Sequence, residues 1–272
     1  MVPARRPPGL AGALAGRPVA GIDLAWGRRN RTGLCAVRPD GTVISSASVL
    51  SDDEIVEWIL KHSASPAVVG FDAPIVVDNP TGRRPCETLV SRAFGAQKAG
   101  CHSSNRSMAV FADGGRARAL ARRLDLCLDP NGCTQEVGLA AEVYPHAAVV
   151  ALFGLAERIP YKAGRGRSLE DRRAALGHLV TLVESLVDGD PPLDVPSSPR
   201  WAGLLAAVDG AATHRALDEA EDEIDAYVCA YVALCLASDL GDGGRRVDVM
   251  GEWAAGAIVT PAARRQLAVT VR

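Results

Sequence analysis

Apolar segments of two kinds alternate along the chain and predict a mixed α/β fold. Unbroken apolar runs at 18–25 and 67–73 are typical of strands that are buried on both faces. Two shorter apolar runs, 32–38 and 42–50, flank a Pro-Asp-Gly turn at 39–41, which predicts a hairpin. The first three strands are therefore expected to form an antiparallel meander.

Helical patterns fill most of the remaining chain. A helix is predicted over 52–62, where Ser51 as N-cap and Glu54 three residues later form a capping-box pattern. The other predicted elements are strands at 138–144 and 256–261 and helices near 85–94, 115–124, 146–155, 168–187, 199–208 and 214–238. The order predicts a mixed five-stranded sheet flanked by helices. An insertion at about 74–138 separates strands four and five of a domain spanning 17–272, after a flexible leader at 1–16.

Composition supports one domain with a sizeable core, because 48% of the 272 residues are hydrophobic. No apolar run reaches the roughly 18 residues of a membrane span, so no membrane association is expected. The seven cysteines have no repeated spacing, which favours a reducing, cytoplasmic location. A zinc site from Cys101, His102, Cys127 and Cys133 is conceivable, but no CxxC pair supports it.

Positive charge is concentrated in the middle of the chain. The formal net charge is −2, yet residues 83–173 hold 15 Lys and Arg against 9 Asp and Glu. The middle segment could face a phosphate-bearing ligand. It could equally be a solvated helical surface, and the sequence leaves both interpretations open.

Four acidic residues interrupt apolar sequence. Asp23, Asp72 and Glu142 each follow apolar strand residues, and Asp225 lies on the apolar face of the long predicted helix. An unpaired ionised carboxylate costs several kcal/mol in such a place. Each acid could pair with a buried arginine, or several could converge on a divalent cation. Ligand sites form outside the carboxyl ends of strands in open α/β sheets, which favours convergence.

The expected site is therefore a carboxylate cluster that binds metal. Asp222 lies three residues before Asp225 and shares its helical face. Oxygen ligands favour Mg²⁺ or Mn²⁺ over zinc, and two such ions suit phosphodiester cleavage. The predicted catalytic residues are Asp23, Asp72, Glu142, Asp222 and Asp225, of which Asp23, Asp72 and Asp225 are the predicted metal ligands.

Four further residues are candidates for substrate binding, namely Arg84, Glu87, Lys162 and His146. Arg84 could clamp a phosphate, or it could pair with Glu87 to hold the insertion. Lys162 could contact a phosphate or orient the attacking water, or it could be a surface lysine. His146 could transfer protons, although a histidine after a strand more often has a structural role. Trp26 beside the first acid could stack on a base, but packing is the expected role.

Several short motifs resemble the RNase H-like superfamily. They are GIDLAW at 21–26, GFDAP at 70–74, NPTGRRPCE at 79–87, EVYPH at 142–146, IPYK at 159–162, EDEIDAYVCAYVA at 221–233 and GAIVTP at 256–261. In this order they look like an uncharacterised family of predicted RNase H-like nucleases, domain-of-unknown-function family 429. The match extends over almost the whole chain after residue 17.

The resemblance implies three strands, a helix, two more strands and a C-terminal helix that carries carboxylates. By analogy with RuvC-like resolvases, Asp23 corresponds to the catalytic aspartate of the first strand. Asp72 corresponds to the acid at the end of the fourth strand. Asp222 and Asp225 match a DxxD pair, whereas Glu142 could instead orient the substrate. The implied activity is metal-dependent phosphodiester hydrolysis of nucleic acid or of a small phosphate-bearing substrate.

Two other functions remain open from the sequence. Actin-like ATPases and sugar kinases share this topology and a first-strand aspartate, so a nucleotide-binding phosphotransferase is possible. Their glycine-rich phosphate turns are not evident here. A non-catalytic binding module that keeps the acids for structure is the third possibility.

Overall fold

One mixed β-sheet of eight strands lies between two layers of helices. The computed structural model describes residue 14 and residues 16–27, 30–133 and 137–262. The strands are β1 (Val19–Asp23), β2 (Thr32–Val37), β3 (Val43–Val49), β4 (Val68–Phe71), β5 (Leu126–Cys127), β6 (Gly138–Val143), β7 (Val247–Glu252) and β8 (Gly256–Pro261). The described helices are α1 (Asp52–His62), α2 (Pro85–Phe94), α3 (Arg116–Arg123), α4 (Pro145–Phe153), α5 (Leu169–Glu184), α6 (Trp201–Asp209) and α7 (His214–Asp242). Short 3-10 turns lie at Ala109–Phe111, Pro130–Gly132, Ser185–Asp188, Val195–Ser197 and Trp253–Ala255.

The strand order is β3-β2-β1-β4-β6-β8-β7, and β5 pairs with the start of β6. Strands β1 to β3 form the predicted antiparallel meander. Strands β1, β4, β6 and β8 run parallel, while β7 returns antiparallel at the far edge. The carboxyl ends of the parallel strands therefore meet along one side of the sheet.

The two faces of the sheet bury different helices, because successive strand side chains alternate between faces. Helices α4 to α7 cover the face that carries Val19 and Val68. Helices α1 and α3 cover the opposite face, which carries Ile22 and Phe71. Helix α2 packs at the β7–β8 end, where Cys86 contributes to a smaller apolar cluster.

Helix α7 is the central helix of the larger core. By length and composition it could cross a membrane, but 78% of its most apolar window is buried inside the fold. It begins at a Thr213 N-cap, whose side chain accepts a hydrogen bond from the amide of Ala216. Its apolar character is thus explained by packing on the sheet.

The predicted elements agree closely with the structure up to α7, including the Ser51–Glu54 capping box. The prediction of five strands was wrong. Strand β5 has only two residues, β7 lacks regular alternation of buried positions, and β8 joins the sheet beside β6. The predicted leader lies outside the described residues except for positions 14 and 16.

Cys127 and Cys133 form a disulfide bond with each other, so neither is available to a zinc site.

Candidate functional site

Asp23 and Asp72 lie side by side at the ends of two neighbouring parallel strands. Strand β1 ends at Asp23, and Asp72 directly follows β4, whose Phe71 is the partner of Ile22. The amide of Asp72 donates a hydrogen bond to the carbonyl of Ile22 (2.8 Å). Since side chains alternate along a strand, both carboxylates point to the face that α7 covers.

Three glycines allow α7 to lie directly on the backbone of the sheet. A Cβ atom at Gly21, Gly33 or Gly70 would overlap with backbone atoms of the helix. The overlapping atoms would include the carbonyl oxygens of Ala226, Asp222 and Cys229, respectively. This close approach brings Asp225, which precedes Ala226, to the carboxyl ends of β1 and β4.

The carboxylates of Asp23, Asp72 and Asp225 form a compact group, with one oxygen of each within 4.8 Å of the others. Asp23 and Asp225 are buried, while Asp72 is partly buried. Within the described part of the chain, Oδ2 of Asp23 and Oδ2 of Asp225 have no hydrogen-bond partner. Asp222 is partly buried one turn earlier on α7 and lies outside this group. A donor set made only of grouped carboxylate oxygens fits a divalent cation such as Mg²⁺ or Mn²⁺.

The ammonium group of Lys162 lies inside the acidic site rather than on the surface. Its Nζ is 2.6 Å from Oδ2 of Asp225, 3.2 Å from Oε1 of Glu221 and 3.7 Å from Oδ2 of Asp23. The contact with Asp225 is one of charge, because the geometry is not that of a directed hydrogen bond. Tyr161 orients Asp225 by donating to its Oδ1 (2.8 Å).

Burial, and then repulsion between neighbouring carboxylates, raises the pKa values of the acids around Lys162. Burial raises the pKa of Asp23 to about 6, although Lys162 opposes the shift. Burial also raises the pKa of Glu221 to about 7 and, together with the charge of Asp23, that of Asp222 to about 8. The pKa of Asp72 lies well above its ordinary value for the same two reasons. The site is therefore short of positive charge.

Glu142 points away from this group, to the opposite face of the sheet. Its neighbours Ala141 and Val143 lie in the core beneath α7, so alternation turns Glu142 the other way. There Arg84 binds both of its carboxylate oxygens (2.6 and 2.9 Å) and also donates to Glu87 (2.7 Å). The structure therefore does not bring Glu142 into the cluster. Arg84 is paired with Glu142 and Glu87 and is not free to bind a phosphate.

A cleft of about 360 Å³ opens beside Asp72. Lys162, His146, Arg158 and Arg167 contribute to its lining. Burial, followed by the charge of Lys162, lowers the pKa of His146 to about 3. The imidazole is therefore neutral near pH 7.

Sequence reasoning did not identify several residues of the site. Glu221 lies four residues before Asp225, a spacing that places both on one helical face and could have revealed it. Arg172 on α5 holds Glu221 through a hydrogen bond of 2.9 Å, and Tyr161 holds Asp225. Nothing in the local sequence marked Arg172, because its partner lies on another helix.

The fold and site define a mixed α/β protein with a buried carboxylate cluster at the ends of its parallel strands. The chain belongs to the family described as "Protein of unknown function (DUF429)", whose model matches residues 21–246. That range includes Asp23, Asp72, Lys162 and Asp225. No curated protein and no solved structure matches the chain.

Proposed function

We propose that this protein is a divalent-metal-dependent phosphodiester hydrolase, a nuclease of the RNase H-like type. The observation that carries the proposal is the meeting of Asp23, Asp72 and Asp225, which come from separate chain segments. Isolated buried acids are normally paired with arginine, as Glu142 is with Arg84. The three grouped aspartates have no arginine partner among the described residues and share only the charge of Lys162, so Mg²⁺ or Mn²⁺ would supply the charge that is still missing.

The order of the strands supports the same class. An antiparallel β1–β3 meander, followed by parallel β4 and β6 and by a long helix with carboxylates, agrees with what the family resemblance implies. In this view β5, β7 and β8 are additions to a five-stranded centre. The strands that carry Asp23 and Asp72 lie in the middle of the sheet.

Chemical roles follow from what each side chain contacts. A divalent ion, when bound, supplies a Lewis acid and lowers the pKa of a coordinated water. Asp23, Asp72 and Asp225 would hold it, while Tyr161 keeps Asp225 oriented through its other oxygen. Lys162 would stay close enough to the cluster to stabilise negative charge on a substrate.

One observation favours the rival, a binding module without catalysis. Lys162 contacts three carboxylates and thus already compensates part of their charge. If this lysine is the only cation that the cluster needs, Mn²⁺ will not stabilise the protein and a chelator will not change its melting temperature. The rival and the proposal therefore differ in a direct measurement.

The test compares wild type with Asp23→Asn and with Glu219→Gln, a matched control at an exposed acid on the same helix. Thermal unfolding with and without Mn²⁺ should show stabilisation of wild type and of the control, of about 2.7 kcal/mol at 100 times Kd. Asp23→Asn should lose most of that stabilisation and all Mn²⁺-dependent cleavage of DNA, RNA and small phosphodiesters. Unchanged turnover in a folded Asp23→Asn variant would refute the proposal. ATP-dependent stabilisation would instead favour the phosphotransferase.

A further inference from the structure

Besides Lys162, seven of the fifteen Lys and Arg residues in the middle segment pair with acids, five of them with acids outside that segment. These pairs reduce the excess of positive charge that 83–173 offers to a ligand. The ion pairs are Arg84–Glu142, Lys98–Glu157, Arg106–Asp78, Arg116–Asp52, Arg118–Asp78, Arg123–Asp53 and Arg172–Glu221. What matters for ligand binding is therefore where the unpaired cations lie.

Two guanidinium groups, those of Arg158 and Arg167, are partly buried and have no carboxylate partner among the described residues. Arg167 donates from Nη1 to the carbonyl of Lys162 (2.6 Å), which fixes its side chain without neutralising its charge. Both groups line the cleft beside Asp72. By contrast, Arg165 on the same loop is exposed and does not line the cleft.

The remaining walls of the cleft suit a compact ligand with a planar part. Trp26 is 40% exposed and packs edge-on against Phe111 at 5.2 Å between ring centroids, so part of its indole is open to the cleft. His146 contributes a neutral imidazole, whose buried Nδ1 has no hydrogen-bond partner in the described structure. A volume of about 360 Å³ lies near the lower end of the range for small-molecule sites.

We propose that this cleft binds one phosphate-bearing unit of about nucleotide size, with its phosphate held by Arg158 and Arg167 beside the carboxylate cluster. The proposal rests on the proposed function for the reaction, but the binding of the anion does not depend on it. A long nucleic acid would need a row of phosphate contacts. The ion pairs described above occupy seven cations of the middle segment, and the protein as a whole carries a net charge of −2, which together favour a small anion over a long strand.

The experiment measures binding of inorganic phosphate, a nucleoside 5′-monophosphate and a 20-nucleotide single strand, each by calorimetry with EDTA and again with Mn²⁺. Wild type is compared with Arg158→Gln, Arg167→Gln and the matched control Arg165→Gln. Each of the first two variants should bind the monophosphate about tenfold or more weakly, because a charge-assisted hydrogen bond is lost. Arg165→Gln should bind like wild type, and all variants should keep the circular dichroism spectrum of wild type.

Two outcomes would overturn the inference. One is the absence of monophosphate binding by wild type in both conditions. The other is tight binding of the single strand with a steep salt dependence that neither arginine variant weakens, which would indicate a strand-binding surface elsewhere. The two proposals can also fail separately. If monophosphate binding depends on Arg158 and Arg167 but Asp23→Asn leaves the stabilisation by Mn²⁺ unchanged, the binding cleft is supported and only the metal-dependent function is refuted.

Discussion

Replacing Glu142 by glutamine removes one negative charge from a buried ion cluster while keeping the shape of the side chain. In the native protein Arg84 binds both oxygens of Glu142, and the amide of Ile75 donates to one of them (3.1 Å). Arg84 is only 2% exposed, so water cannot take over the lost interaction. The variant therefore tests whether Glu142 has a structural role.

The expected loss of stability follows from the geometry of this cluster. Removing one partner of a buried pair costs about 3–5 kcal/mol. Arg84 keeps Glu87 as a second partner at 2.7 Å, so the lower end, about 3 kcal/mol, applies. For a chain of this size, that lowers the melting temperature by about 6–12 °C.

Urea unfolding of the metal-free protein measures the change, with Glu157→Gln as the matched control. Glu157 pairs with Lys98 at 2.7 Å, a distance similar to those in the Arg84 cluster, but both side chains are more than half exposed. Its loss should cost less than about 1 kcal/mol. The structural role would be refuted if Glu142→Gln lost less than about 1 kcal/mol of stability but had no metal-dependent hydrolysis. That result would indicate that Glu142 takes part in the reaction.

Two other predictions concern the packing of α7 and the charge of the cluster. Gly21→Ala should destabilise the protein by about 2–3 kcal/mol or more, because the added Cβ would meet the α7 backbone. Gly177→Ala in α5 adds a Cβ in open space, so it should be neutral or stabilise the protein by up to about 1 kcal/mol. Chemical denaturation of both variants checks this, and equal losses would contradict it. In EDTA, the free energy of unfolding should fall as pH rises from about 4 to about 8, because raised pKa values at Asp23, Glu221 and Asp222 let the folded state hold more protons than the unfolded one. Asp222→Asn should make that fall shallower, and an equal or steeper fall would argue against the raised pKa.

The order of the elements could be predicted because each depends on local pattern. Unbroken apolar runs marked β1 and β4, a Pro-Asp-Gly turn marked the first hairpin, and a capping box marked α1. Asp23, Asp72 and Asp225 stood out for the same reason, since a carboxylate among apolar residues needs compensation wherever the chain folds. Local sequence was therefore enough to select the three residues that the structure brings together.

Tertiary structure decided which acids meet and what compensates them. Pairing of Phe71 with Glu142 puts Glu142 on the opposite face from Asp72, and that register depends on two strands far apart in the chain. Lys162 contacts Asp225, and Arg84 contacts Glu142, although the two members of each pair are far apart in the chain. The sequence by itself determined where charge interrupts apolar segments, whereas strand register and the close approach of α7 determined which charges share one site. The physical reason is that alternation and helical spacing act over a few residues, but a buried charge is balanced by whatever group the whole fold places within a few ångströms of it.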